Sequence, residues 1–203
     1  MKGLLLKDWY MMKTYCKLYL VMAVLFLAAS FVNSDNLFFV FYPCLLCGMI
    51  PVNLLAYDER SRWTQYSCTL PCTRAQLVSA KYLTGLFCQL AVLLATAVVQ
   101  GIRNGFTADF GVLMLALLTI ASFASAIPLP FIFKLGVEKG RTAYYAMIGF
   151  VCGASVLVSR MLTGEAMAQL PARWLMLAIA LAGVGIYALS WLLSIRFYQK
   201  REC

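Results

Sequence analysis

Histidine does not occur in the 203 residues. Its absence excludes Ser-His and Cys-His catalysis and every metal site that needs imidazole. Acidic residues are scarce, 8 in all, and charged residues make up 12% of the chain, about half the share usual in a soluble domain. The acids also avoid the long apolar runs. Ion-coupled carriers place ionisable or coordinating groups at mid-membrane, and only the amides Asn53, Gln89 and Gln100 stand there. Each reads as a packing or hydrogen-bonding residue. A nucleotide site is missing too. No Gly-x-x-x-x-Gly-Lys-Ser/Thr occurs, and the run from Gly136 to Arg141 has neither the spacing nor the Lys-Ser/Thr pair. Any ATP has to be hydrolysed on another chain.

What the sequence does have is apolar length. Hydrophobic residues make up 63% of the chain and come in blocks rather than in alternation. About 20 apolar residues cross a hydrocarbon core as a helix, and these blocks are too continuous for barrel strands. The expected fold is therefore all-α: a single polytopic transmembrane domain, 1–203, with six spans at about 15–32, 37–56, 82–102, 110–133, 142–162 and 174–195. Residues 1–14 mix Lys2, Lys7 and Lys13 with Leu4, Leu5, Leu6, Trp9 and Tyr10. They predict a helix at the interface, its aromatics at headgroup depth and its lysines reaching outward. The small residues Ala28, Ala29 and Ser30 could suit a cleaved signal, but the five later spans and the basic lead-in favour an uncleaved first helix.

With both termini in the cytoplasm, fourteen of the 17 basic residues lie inside, and only Arg103, Arg160 and Arg173 lie outside. That asymmetry sets the orientation. It also accounts for the net charge of +9 without a nucleic-acid partner. The external loops are too short to fold as domains. Among the 8 cysteines, Cys44 and Cys47 form a Cys-x-x-Cys within the second span, and Cys68 and Cys72 follow it. A thiol oxidoreductase is one reading of that pair, and small apolar packing is the other. No cysteine falls in an external loop, so no disulfide framework is implied. Gly149 and Gly153, and Ala178 and Ala182, have the spacing that lets helices approach closely.

The informative polar segment is 57–81. Trp63, Tyr66 and Leu70 fall on one helical face. Asp58 and Glu59 read as the start of that helix, where carboxylates complement the dipole. Pro71 stops it, and Thr73 with Gln76 forms a capping box for a second helix that runs into the third span. The product is an amphipathic elbow, which lies flat on the membrane or docks a partner.

Several residues carry a family resemblance: Asp58-Glu59-Arg60-Ser61, Trp63, Leu70-Pro71, Thr73-Arg74 and Lys81-Tyr82-Leu83 in the elbow; Phe133 to Gly136 and Glu138 to Arg141 after the fourth span; and the start Met1 to Asp8. Together they resemble the ABC-2 type transporter permeases, and within them a small six-span branch that includes phenol-soluble-modulin exporters. Cys72 departs from the usual aliphatic residue. The resemblance implies a plasma-membrane permease that is not itself an enzyme and binds no cofactor. It implies ATP and Mg on a partner ABC ATPase, present in two copies, and pairing with a second permease, identical or homologous. It places ATPase coupling at Asp58, Glu59, Arg60, Trp63 and Tyr66, with a second contact or hinge at Glu138, Lys139 and Arg141. The implied cargo is an amphipathic peptide or another hydrophobic substrate moving outward. A noncatalytic membrane scaffold is the remaining alternative.

Overall fold

The computed structural model describes residues 2–32, 38–67, 69, 72–105, 108–140, 142, 145 and 172–199. Among these, every regular element is helical. The elements are α1 (Lys2–Tyr15), α2 (Lys17–Val32), α3 (Phe38–Gly48), α4 (Ile50–Arg60), α5 (Trp63–Ser67), α6 (Arg74–Asn104), α7 (Ala108–Ala126), α8 (Pro128–Leu135) and α9 (Ala172–Gln199). A further helical turn occupies residues 137–140.

Four helical stretches are long and apolar enough to cross a membrane: Phe38–Arg60, Arg74–Arg103, Phe110–Leu135 and Ala180–Gln199. They coincide with the second, third, fourth and sixth expected spans. The expected fifth span, 142–162, falls almost wholly outside the described residues. For the first, the described residues hold a helix of 16 residues, α2, set at a 72° bend at Cys16 to the separate helix α1; residues 33–37 that follow it lie outside the described ones.

Two spans are broken, each at a proline. Pro51 sits in the first turn of α4 and Pro128 opens α8. Proline is tolerated there because the first helical N–H groups have no partner within the helix. The breaks pack at one level. A Cβ on Gly48 would come within 2.5 Å of the Ala124 Cβ, and one on Gly85 within 3.1 Å of Pro51. In contrast, α6 is continuous for 31 residues, about 46 Å at the helical rise. It therefore crosses the bilayer and projects beyond it.

The spans are joined inside the bundle by hydrogen-bonded aromatics. The Tyr82 hydroxyl lies 2.7 Å from both Ser190 and Ser194 Oγ, and its ring stacks on Trp191 with centroids 5.6 Å apart. Tyr187 donates to the Tyr82 carbonyl at 2.8 Å, and Ser190 donates to the Ala126 carbonyl at 2.6 Å. This ties α9 to α6 and to the α7–α8 break. The amides are engaged as well: Asn53 donates to the Met49 carbonyl, Gln89 to the Ala121 carbonyl and Ser125 Oγ, and Gln100 to Ser30 Oγ. Outward faces carry Leu18, Val24, Leu94, Ile102, Leu181 and Leu189, all exposed, as lipid contact allows.

Cys44 and Cys47 are each 1% exposed and lie in buried packing clusters. A thiol relay needs an aqueous face for its partner. Burial therefore removes the oxidoreductase reading and leaves the cysteines as small core residues.

Candidate coupling site at the polar end of the bundle

Most charged residues of the described chain gather at one end, where α1, the α4–α5 elbow, the start of α6, residues 136–140 and the end of α9 meet; Arg103, at the far end of α6, instead donates to the Ser30 carbonyl at 2.6 Å. The elbow differs from expectation in one respect. Asp58 and Glu59 lie in the last turn of α4, not at the start of the next helix. The second span extends to Arg60, past the expected limit at residue 56. Carboxylates at a helix C-terminus oppose the dipole, so both need positive or hydrogen-donating partners, and both have them.

Asp58 is buried and accepts from two lysines. Lys7 Nζ is 2.7 Å from its Oδ1 and Lys81 Nζ is 2.6 Å from its Oδ2. Lys81 also lies 2.6 Å from Asp8 Oδ1, and Lys7 lies 3.6 Å from the same oxygen. Asp8, Asp58 and Lys81 are 1%, 5% and 5% exposed. Two carboxylates and two ammoniums thus make a neutral, largely buried cluster from α1, α4 and α6. Asp8 Oδ2 has no hydrogen-bond partner among the described residues. Breaking a buried pair on one side leaves an uncompensated charge and costs about 3–5 kcal/mol.

Lys7 was expected to reach outward. Instead it turns inward onto Asp58, with its ammonium 4.1 Å from the centre of the Trp63 ring. Burial holds that ammonium below the usual lysine range, and the charge of Lys81 adds to the effect; the Asp58 hydrogen bond and the charges of Asp58 and Asp8 oppose it. Trp63 is half-buried beneath Lys7, and Tyr66 packs beside it with ring centroids 5.4 Å apart.

Glu59 reaches the other loop. Its Oε2 accepts the Val137 N–H at 2.7 Å, where a helical turn begins and its N–H groups are free. Two glycines shape that loop. Gly136 has φ 86 and ψ 169, a backbone region that essentially only glycine adopts and that costs a residue with a Cβ about 1–3 kcal/mol. A Cβ on Gly140 would lie 2.8 Å from Ile132 Cα.

Beyond the α4–α5 turn, Thr73 caps α6 as the sequence indicated. Gln76 N–H donates to Thr73 Oγ1 at 3.3 Å, and Thr73 N–H donates to Gln76 Oε1 at 3.2 Å. Arg74 donates to the Gln199 carbonyl at 3.0 Å, linking the elbow to the end of α9.

Seven of the eight residues expected to couple are therefore placed. Asp58 faces inward and Trp63 is half-covered. Glu59, Arg60, Tyr66, Glu138 and Lys139 are exposed, and Arg141 lies outside the described residues. The sequence reading passed over Lys7, Asp8 and Lys81 as site residues. For Asp8 a signal existed, because Leu4, Asp8, Met12 and Cys16 recur at four-residue spacing, one buried stripe of a helix. It also passed over Arg62, an exposed non-glycine residue at φ 55 in the turn between α4 and α5, where such a backbone marks a constrained bend.

A family model described as ABC-2 family transporter protein matches residues 3–199. The chain belongs to this family. Comparison with curated proteins and with solved structures finds no match. As an ABC-2 protein it is a membrane transport subunit, a class generally not catalytic itself. Membership implies association with an ABC ATPase and residence in a lipid bilayer. The match runs from α1 through α9, so the elbow and the 136–140 loop both belong to the ABC-2 region.

Proposed function

We propose that this ABC-2 protein is the permease subunit of an ATP-driven exporter in the plasma membrane, with both termini and the elbow on the cytoplasmic side. Two copies of a partner ATPase carry ATP and Mg, and a second permease, identical or homologous, completes the path. The cargo is an amphipathic peptide or another hydrophobic molecule, as in the small branch the motifs resemble. The bias of basic residues to one side supports the orientation, and the short outer loops suit export better than capture.

One observation carries this reading: the hydrogen bond from Val137 N–H to Glu59. It joins, through one carboxylate, the two polar loops that the motifs single out. Around it Arg60, Arg62, Tyr66, Glu138 and Lys139 are exposed on the same end. Such a surface can be gripped by a partner, and its motion passes to the second span through α4 and to the fourth through α8. Closure of the ATPase pair on ATP would push this surface, and the broken spans would bend at Pro51 and Pro128.

The test is co-purification with the ATPase encoded nearby, followed by transport and hydrolysis measurements on reconstituted complexes. Glu59→Arg removes the acceptor for Val137 and reverses the charge at the joint. We expect an assembled complex that still hydrolyses ATP but transports poorly. Wild-type transport and wild-type hydrolysis in that variant would reject the coupling role. A chain that neither binds nor stimulates the ATPase would be a scaffold instead.

A further inference from the structure

The base of the elbow is closed by buried ion pairs. Asp58 stands where the chain leaves the second span and Lys81 where it enters the third. Lys81 Nζ lies 2.6 Å from Asp58 Oδ2. The ion pair closes the elbow into a loop, both legs held at one point. Asp8 of α1 meets the same ammonium at 2.6 Å, and Lys7 of α1 meets Asp58 at 2.7 Å. Each helix therefore contributes to a knot in which no member pairs with only one partner.

We propose that Asp8 and Lys81 are positioning residues that make the elbow a stiff lever and bind the N-terminal helix to it, so that α1 moves with the elbow as one body. This deepens the coupling role proposed above and rests on it for its consequence, though the stiffness itself is a property of this chain alone. The geometry favours this over a simple anchor for α1. Leu4 and Met12 already bury the inner face of α1 against the bundle, so attachment does not require a charge at position 8. An aspartate there, with one oxygen lacking a donor among the described residues, is costly to bury unless direction and register matter. Setting register is the best-attested use of a buried polar or ionic group. Because α1 continues into α2 through the bend at Cys16, a lever so built reaches three crossings: α2 through α1, the second span through Asp58, and the third through Lys81.

The experiment measures the distance between spin labels at Lys13 in α1 and Thr69 beyond α5, both exposed. The labels are carried on a noncanonical amino acid that spares the native cysteines. The full chain is measured in lipid nanodiscs, alone and with its ATPase. The wild type should give a narrow distribution that keeps its mean when ATP and Mg are added. Lys81→Met, and the shape-preserving Asp8→Asn, should broaden it. They should also lower transport per ATP hydrolysed by about tenfold, the size expected for coupling energies between groups in one network. Should Lys81→Met fail to assemble, Asp8→Asn carries the comparison. A distribution as narrow as wild type in assembled Asp8→Asn would overturn the inference. Failure of the wild-type chain to bind or stimulate the ATPase, with these label widths as expected, would instead sink the proposed function and leave the stiff elbow standing.

Discussion

At the scale of single residues, burial decides what each charge does. Lys2, Lys7 and Lys13 look alike in the sequence, yet only Lys7 turns inward, because it lies beside Asp8 on the helix and opposite Asp58 across the packing. Its depressed pKa has a definite sign. The folded chain holds that proton less tightly than the unfolded chain, so the charge is unfavourable below the folded pKa. The penalty is relieved as pH climbs from the folded pKa toward the ordinary value of 10.5. We expect wild-type stability to gain on Lys7→Met over that alkaline window, read from unfolding midpoints of the two proteins in detergent at stepped pH. A flat difference would contradict it. Gly140 makes a second case. A methyl there meets the backbone of Ile132 rather than a mobile side chain, so Gly140→Ala should destabilise by about 1–3 kcal/mol. Thermal unfolding of the purified variant checks this, and an unchanged midpoint would contradict the close approach.

At the scale of elements, local chemistry was legible wherever the partner lies within a few residues. The Thr73–Gln76 box is readable because both halves sit three residues apart, and the structure forms it as read. Removing it by Thr73→Ala should cost about 1 kcal/mol, visible as faster amide exchange in the first turn of α6. Unchanged exchange would mean that Arg74 and its bond to Gln199 hold the turn without help. Asp58 and Glu59 were misplaced by the same local logic. As carboxylates in a polar run they suit a helix start, but they end α4 instead. What overrides the dipole is non-local: two lysines, one from 51 residues before, and an N–H from 78 residues after. No window of sequence contains those partners.

At the scale of the whole molecule, the expected architecture rests on apolar length and charge asymmetry, which are properties of the chain regardless of packing. Second, third, fourth and sixth spans stand where apolar runs put them. Orientation remains testable: membrane-impermeant labels attached at Lys139 and at Gly105 should react from opposite faces of sealed vesicles, and reaction of both from one face would invert or break the topology. Cys44 and Cys47 should stay unlabelled by the same reagent until the protein is denatured, since both are buried.

The sequence by itself determined the membrane class, most of the crossings and the capped start of α6, because apolar length and short-range capping are written along the chain. Only the tertiary structure decided which charges meet. The buried knot of Asp8, Asp58, Lys7 and Lys81, and the reach of Glu59 to Val137, depend on helices brought together from distant positions. Electrostatic pairing is strong only where packing removes water, and that place exists only after folding.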